Sequence, residues 1–210
     1  MEPIVNPKIE QYLQSLRGEP EAVRREMERL AEQRGFPIVG PEVGRLLALL
    51  TRLSGARRIL ELGSGFGYSA WWFAGALAEG GTVICTDASP EHRELALGFL
   101  RRAGLADRVR FEVGDSLEIL ESLEGSFDLI FNDIDKEDYP RSLERVVPRL
   151  VPGGLFITDN TLWYGKVAEA HAKDATTRAV REFNRLTVGH GELETVILPI
   201  RDGLSICRKR

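Results

Sequence analysis

Short apolar strands alternate with helices along most of the chain, and this alternation constrains the fold more than any other sequence feature. Apolar runs predict strands at 58–62, 82–86, 109–113, 127–132 and 155–158. Helical patterns follow them at 68–77, 91–103, 117–123, 139–150 and 175–186. Near-continuous apolar strands joined by crossover helices predict a parallel sheet with helices on both faces.

Two further strands are predicted at the C-terminal end. Residues 193–198 and 204–207 are separated by only five residues, so we expect an antiparallel hairpin. The predicted fold is therefore α/β, with a Rossmann-like doubly wound sheet of seven strands, mostly parallel, ending in an antiparallel hairpin. Helical patterns at 21–34 and from Pro41 to about Gly55 predict an N-terminal helical extension.

Length and composition narrow the class of protein. The 210 residues favour a single domain over 1–210, with a helical segment at 1–55 and the Rossmann-like core at 56–210. The sequence contains no run of about 18 apolar residues, so no membrane span is predicted. Residues 1–8 lack the pattern of a signal peptide. Cys85 and Cys207 match no metal or redox spacing, which favours buried thiols in a cytoplasmic protein. The net charge of −4 argues mildly against a dedicated nucleic-acid binder.

A glycine-rich turn follows the first strand. Gly63, Gly65 and Gly67 stand between that strand and the next helix, where glycine allows a tight turn and a close approach of a ligand. Asp87 ends the second strand, the place from which an acid can accept hydrogen bonds from ribose hydroxyls. Together they predict a site for an adenosine-containing cofactor.

The neighbours of this turn favour S-adenosylmethionine over a dinucleotide. Tyr68 occupies the sixth position, where the dinucleotide fingerprint has glycine. Glu61 precedes Gly63 by two residues, and its carboxylate would repel a pyrophosphate but suit an ammonium or a sulfonium. The pattern Glu-x-Gly-x-Gly-x-Gly resembles the first motif of the class I methyltransferases.

Carboxylates and an amide follow the fourth and fifth strands. Asp133 follows one strand, and Asp159 and Asn160 follow the other. If these strands are neighbours, their ends lie about 5 Å apart, and three hard oxygen ligands suit Mg²⁺. The alternative is that these side chains cap the following turns. Lys136 lies close to Asp133, and a nearby cation would favour its neutral form, which can act as a general base.

With these residues in hand, the chain from Pro37 to Arg210 resembles the cation-dependent O-methyltransferases, the group that contains catechol and caffeoyl-CoA O-methyltransferases. The matching segments are 60–69, 113–116, 133–136, 158–165 and 199–205. The motifs Asp-x-Asp-Lys and Asp-Asn-x-Leu are the most specific. Asn132 departs from the apolar residue usually found before the first of these aspartates.

The resemblance implies a role for each matching residue. Asp133, Asp159 and Asn160 would hold Mg²⁺ or Mn²⁺, and Lys136, next to Asp133, would take the acceptor's proton. Glu61, Gly63 and Ser69 would line the methionine end of S-adenosylmethionine, Asp87 would hold the ribose, and Asp115 and Ser116 the adenine edge. The remaining expected cofactor contacts are Val39, in a segment that closes over the cofactor, Ser64, Gly65, Gly67 and Asp133.

The predicted function is methyl transfer to a hydroxyl of a small catechol-like or other vicinal-oxygen acceptor. An alternative is methylation of 5-hydroxyuridine in tRNA, for which arginines could form a local basic patch; these are Arg101, Arg102, Arg108 and Arg110. Tyr68 and the predicted metal ligands disfavour a non-catalytic dinucleotide-binding module. The apolar stripe of the N-terminal helices suggests a homodimer. His92, His171 and His190 have no matching partner in the sequence, which favours surface or structural roles for them.

Overall fold

A seven-stranded sheet forms the centre of the computed structural model, which describes residues 4–210. In chain order the strands are β1 (Arg58–Leu62), β2 (Thr82–Asp87), β3 (Val109–Val113), β4 (Phe127–Asn132), β5 (Leu150–Thr158), β6 (Leu193–Leu198) and β7 (Leu204–Lys209). Their order across the sheet is β3-β2-β1-β4-β5-β7-β6. Strands β1 to β5 are parallel, and β7 is antiparallel to both β5 and β6. The predicted sheet and its C-terminal hairpin are confirmed.

Helices cover both faces of the sheet. They are α1 (Pro7–Ser15), α2 (Ala22–Arg34), α3 (Gly40–Ser54), α4 (Tyr68–Ala74), α5 (Pro90–Arg102), α6 (Ser116–Ser122), α7 (Tyr139–Val146) and α8 (Ala175–Val188). One apolar cluster packs α2 to α5 against one face, and a second packs α6 to α8 against the other. Helix α1 has no buried residue, so it contributes little to either core. Residues 1–3 of the predicted N-terminal segment lie outside the described residues.

Local sequence explains where several helices begin and end. Ser89, Asp115 and Asp174 each accept a hydrogen bond from a backbone N–H in the first turn of α5, α6 and α8. Gly35 and Gly55 follow α2 and α3 with φ values of 60° and 63°. This left-handed conformation ends a helix at little cost when the residue is glycine.

Some predicted boundaries were wrong. The helix predicted over 68–77 ends at Ala74, and the helix predicted over 139–150 ends at Val146. A 3-10 turn, Val147–Arg149, follows it, because Pro148 has no N–H to continue the α-helical ladder. Strand β5 begins at Leu150 rather than 155 and contains the glycine pair predicted as a turn, with a shift in its register against β4.

The topology places one edge of the sheet where a ligand can bind. From β1 the chain continues to β2 on one side, and β4 lies on the other side of β1. Ligands of open parallel sheets bind at the carboxyl ends of the strands where the order reverses. In the described part of the chain, no helix is both long and apolar enough to cross a membrane.

Candidate active site

A cavity of about 550 Å³ lies at the carboxyl edge of the sheet, and most of the predicted site residues line it. These are Val39, Gly63, Ser64, Gly65, Ser69, Asp87, Asp115, Ser116, Asp133, Lys136, Asp159 and Asn160. Glu61 and Gly67 do not reach the wall: Glu61 lies beneath it on β1, and Gly67 immediately precedes α4. The topology therefore brings residues from six separate segments of the sequence together around one cavity.

The glycine-rich turn is shaped by close backbone contacts. Gly63 has φ of 81°, and a Cβ there would lie 2.5 Å from the backbone oxygen of Asp133. Gly67 has φ of 84°, and a Cβ there would lie 2.8 Å from the Cβ of Ala96 on α5. Both positions require glycine, because a side chain would strain the backbone and collide with its neighbour. The turn is thus packed directly against the loop that carries Asp133.

Glu61 is a fully buried carboxyl group beneath this turn. One carboxylate oxygen accepts a short hydrogen bond from the Ser69 hydroxyl, and within residues 4–210 the other, Oε2, has no partner at hydrogen-bond distance. Desolvation raises the pKa of Glu61 from 4.5 to about 7, while the hydrogen bond from Ser69 lowers it in part. A buried carboxylate with one free oxygen is suited to pair with a cationic group of a ligand.

Asp87 is held at the end of β2 by three contacts. Its Oδ2 accepts a hydrogen bond of 2.9 Å from Gly65 N, and its Oδ1 accepts one of 2.8 Å from Ser89 N. His92 Nδ1 lies 2.9 Å from the same Oδ1. His92 therefore has a structural contact, which agrees with the surface or structural role expected of it, although the sequence did not identify its partner. The sequence hid this contact because His92 lies in the first turn of a helix, five residues after Asp87.

Asp115 and Ser116, predicted to meet the adenine edge, also have structural contacts. Asp115 Oδ1 accepts hydrogen bonds of 2.9 Å from Leu117 N and Glu118 N, which cap α6. The Oγ of Ser116 lies 2.8 Å from the hydroxyl of Thr86, on β2. Both residues line the cavity while fixing the start of α6.

Asp133 and Asp159 follow directly after neighbouring strands. Strands β4 and β5 are parallel and pair Asn132 with Thr158, as the convergence of the two carboxylates requires. The backbone N–H groups of both aspartates continue the sheet ladder, Asp133 N to Leu62 O at 2.9 Å and Asp159 N to Asn132 O at 3.2 Å. The two side chains are thereby anchored at one end of the sheet.

Burial and mutual repulsion both make it costly for this pair of carboxyl groups to be ionised. Asp159 is only 5% exposed, and desolvation followed by repulsion from Asp133 raises its pKa to about 7. Desolvation also raises the pKa of Asp133, against the attraction of Lys136. A divalent cation between them would remove both costs.

Asn160 completes the predicted set. Its φ of 55° is left-handed, a conformation that asparagine tolerates better than most residues. Its Nδ2 lies 3.4 Å from Asp202 Oδ2, so the amide oxygen is left free of protein donors among the described residues. Two carboxylates and an amide oxygen are hard ligands that fit Mg²⁺. Within residues 4–210 no three His, Cys, Asp or Glu side chains cluster as metal ligands, so this set depends on the amide.

Lys136 lies beside the carboxylates. Its Nζ donates hydrogen bonds to Asp133 Oδ1 at 2.8 Å and to Ile134 O at 3.3 Å. It also lies 5.4 Å from the ring centroid of Tyr139. The lysine is therefore held at the mouth of the predicted metal set by one of its carboxylates.

Sequence reasoning assigned no role to three residues that build this region. The hydroxyl of buried Tyr139 donates to Asp159 O at 2.9 Å. Asp202 accepts hydrogen bonds from Asn160 Nδ2 and from Tyr164 N. Arg201 Nη1 donates to Ile38 O at 2.7 Å, which joins the β6–β7 turn to the segment before α3. The turn 199–205 was among the matching segments, but its contacts depend on the fold.

Comparison with known proteins identifies the family of this chain. The family model described as O-methyltransferase matches residues 17–210. The chain belongs to the O-methyltransferase family. This confirms the resemblance found in the sequence, the class I methyltransferase fold, and the enzyme class.

Individual relatives agree with this family. Tricin synthase 2 of Oryza sativa subsp. japonica is 37% identical over 188 residues, which cover 83% of this chain but 64% of the rice protein. A catechol O-methyltransferase of Niastella koreensis is 34% identical, with coverage of 90% and 89%. The crystal structure of an O-methyltransferase from Bacillus cereus in complex with SAH has a TM-score of 0.88 at 29% identity, covering 97% of each chain.

Proposed function

We propose that this protein transfers a methyl group from S-adenosylmethionine to a hydroxyl of a small vicinal-oxygen acceptor, such as a catechol, with the help of a divalent cation. One observation carries the proposal: a single cavity brings the glycine-rich turn together with the paired carboxylates Asp133 and Asp159. The relative that binds SAH supports the choice of cofactor.

The cofactor's methionine end would lie over the turn Gly63–Gly67. Glu61 would favour the cofactor's ammonium group from beneath the turn, through Ser69, which lines the cavity and donates its hydroxyl to the Glu61 carboxylate. Asp87 would bind the ribose hydroxyls while Gly65 N and Ser89 N fix its orientation. Val39, Asp115 and Ser116 would enclose the cofactor from the other walls of the cavity.

Asp133, Asp159 and Asn160 would hold the cation, preferably Mg²⁺ or Mn²⁺. When bound, such a cation lowers the pKa of a coordinated hydroxyl and orients its oxygen. Tyr139 and Asp202 keep the ligand set in position, through the backbone of Asp159 and the amide of Asn160. The protein side chains would therefore position the acceptor, and the cofactor would supply the electrophilic methyl carbon.

Lys136 would be the general base. Its Nζ would take the acceptor's hydroxyl proton, and the contact with Asp133 keeps that nitrogen beside the carboxylates. Closure of the segment before α3 would exclude water, with Arg201 holding Ile38 through its carbonyl.

A small acceptor fits the charge distribution better than tRNA does. Arg108 and Arg110 lie at the start of β3, and Arg101 and Arg102 at the end of α5, so all four are near the edge of the sheet opposite the cavity. Each also contacts a protein oxygen: Arg102 pairs with Glu26 and Arg110 with Glu112, and the other two bond to backbone carbonyls. These four arginines therefore do not support the tRNA alternative.

We further propose that residues 1–210 act as one domain, since Val23 and Met27 of α2 and Leu47 of α3 share a core cluster with the sheet. Exposed apolar side chains on α1 and directly after it support the expectation of a homodimer; they are Ile9, Tyr12, Leu13 and Leu16. The buried free thiols Cys85 and Cys207 are compatible with the expected cytoplasmic location.

The test is transfer of a labelled methyl group from S-adenosylmethionine, with Mg²⁺, to catechols and, in parallel, to total tRNA from a strain that lacks the enzyme. We expect labelled catechol and unlabelled tRNA. Labelling of tRNA alone would replace the proposed acceptor, and the absence of SAH binding by calorimetry would refute the proposal altogether.

A further inference from the structure

A second cavity, of about 790 Å³, adjoins the site just described. Helix α1 and the turn between β6 and β7 form its walls, and Tyr164 lines both cavities. Asp202 also lines it and bonds to Asn160, a predicted metal ligand. The second cavity therefore lies next to the region where the body of an acceptor would extend if its oxygens reached the carboxylates.

The wall is largely apolar and carries an aromatic surface. Its apolar residues are Ile4, Val5, Leu13, Pro199 and Ile200. Tyr164 is 59% exposed, and its ring centroid lies 5.2 Å from that of Trp163. Its left-handed φ of 54° holds the residue in an unusual backbone conformation between the two cavities. Such a wall suits an aromatic or other apolar body.

The charges on this wall are mostly negative. Glu10, Glu42 and Asp202 line the cavity, whereas Arg201 is the sole cation among its described lining residues. The guanidinium of Arg201 is already bonded to Ile38 O, and Arg17 pairs with Glu42 from outside the lining. Counting Arg17 with the lining, three acidic groups face two cations, which leaves a net charge of about −1. Proteins bind phosphate or carboxylate groups with clusters of cationic side chains that are not already paired. The described lining residues do not form such a cluster.

We propose that the second cavity selects acceptors with an apolar, aromatic body and no negatively charged substituent. This inference rests on the proposed function, because it describes the acceptor of the same site. Neutral and cationic catechols fit the wall, whereas coenzyme A thioesters, carboxylates and RNA bring negative charge against Glu10 and Asp202.

The test compares five probes of different charge on the full-length protein with SAH and Mg²⁺ bound. Calorimetry would measure the dissociation constants of 4-methylcatechol, dopamine, 3,4-dihydroxybenzoate, caffeoyl-coenzyme A and tRNA. We expect the neutral and cationic catechols to bind about tenfold or more tightly than the anionic probes, the order of effect that a few unit charges produce near a surface. Equal or tighter binding of an anionic probe, or binding of none, overturns the inference.

A charge-reversing substitution tests whether the lining of the second cavity causes this preference among the probes. Glu10→Lys should tighten binding of 3,4-dihydroxybenzoate about fivefold and weaken binding of dopamine by a similar factor, with little change for 4-methylcatechol. Glu124→Lys makes the same charge change at an exposed position beside the amino end of β1, where it should affect none of the three. Identical responses of both variants would refute the assignment. Failure of the proposed function is distinguishable, because SAH would then not bind or no methyl group would be transferred to any acceptor.

Discussion

The buried carboxyl group of Glu61 gives the most quantitative prediction. The Glu61 side chain is fully buried and accepts one hydrogen bond from Ser69. Its other carboxylate oxygen has no hydrogen-bond partner among the described residues. Glu61→Gln keeps the shape of the side chain and removes its titration. The substitution therefore separates the cost of the buried charge from the packing of the residue.

The magnitude follows from the pKa of Glu61, which rises from 4.5 to about 7. Because the folded protein holds this proton more tightly than the unfolded chain, stability falls as the pH rises from about 4.5 to about 7 and then levels off. A shift of roughly 2.5 pKa units corresponds to about 3 kcal/mol of stability lost at and above neutral pH. The Gln variant lacks this loss, so its stability relative to the wild type should increase with pH.

Urea unfolding of the ligand-free protein between pH 5 and pH 8 measures this difference. We expect the free energy of unfolding of Glu61→Gln, minus that of the wild type, to rise by about 2 kcal/mol over that range. The exposed substitution Glu124→Gln is the control and should give a flat difference. A flat difference for Glu61→Gln as well would refute the idea that this carboxyl titrates near neutrality. At pH 8 the same variant should bind SAH about 1–3 kcal/mol more weakly, because a charge-assisted contact is lost.

Three further predictions concern the base, the ribose contact and assembly. Lys136→Ala should lower kcat by roughly 10²–10⁴, with partial recovery at higher pH and for acidic catechols; a pH–rate profile unchanged from the wild type would contradict a role as base. Asp87→Ala should weaken SAH binding by about 1–3 kcal/mol by calorimetry, and unchanged affinity would mean that the ribose is held elsewhere. Light scattering at micromolar concentration should give twice the mass of one chain, and the mass of a single chain would reject the dimer.

Much of the fold and part of the site could be predicted from the sequence because their causes are local. The run Arg58–Leu62 is a strand because it is apolar and bounded by turns, and the same holds for Phe127–Asn132. The meeting of Asp133 and Asp159 was predicted on the condition that their two strands are neighbours, and the pairing of β4 with β5 meets that condition.

The rest depends on contacts between distant segments. Arg201 meets Ile38 across 163 residues, and Tyr139 reaches the backbone of Asp159 across 20. Such contacts cannot be predicted from periodicity or spacing in the sequence, so Arg201 and Tyr139 were missed as parts of the site. The extra length of β5 was missed for a related reason: Gly153 and Gly154 are typical of turns, but Leu150 and Leu155 on either side of them both pair with β4, across a shift in register.

Methyl transfer with and without the divalent cation tests the central claim most directly. The substrate would be a catechol that the enzyme methylates with Mg²⁺, and the readout would be labelled product. We expect EDTA to abolish transfer, Mg²⁺ or Mn²⁺ to restore it, and Asp159→Ala to abolish turnover while SAH affinity stays nearly unchanged. Full transfer in EDTA, or full turnover by Asp159→Ala, would contradict the account and leave these carboxylates as caps of their turns.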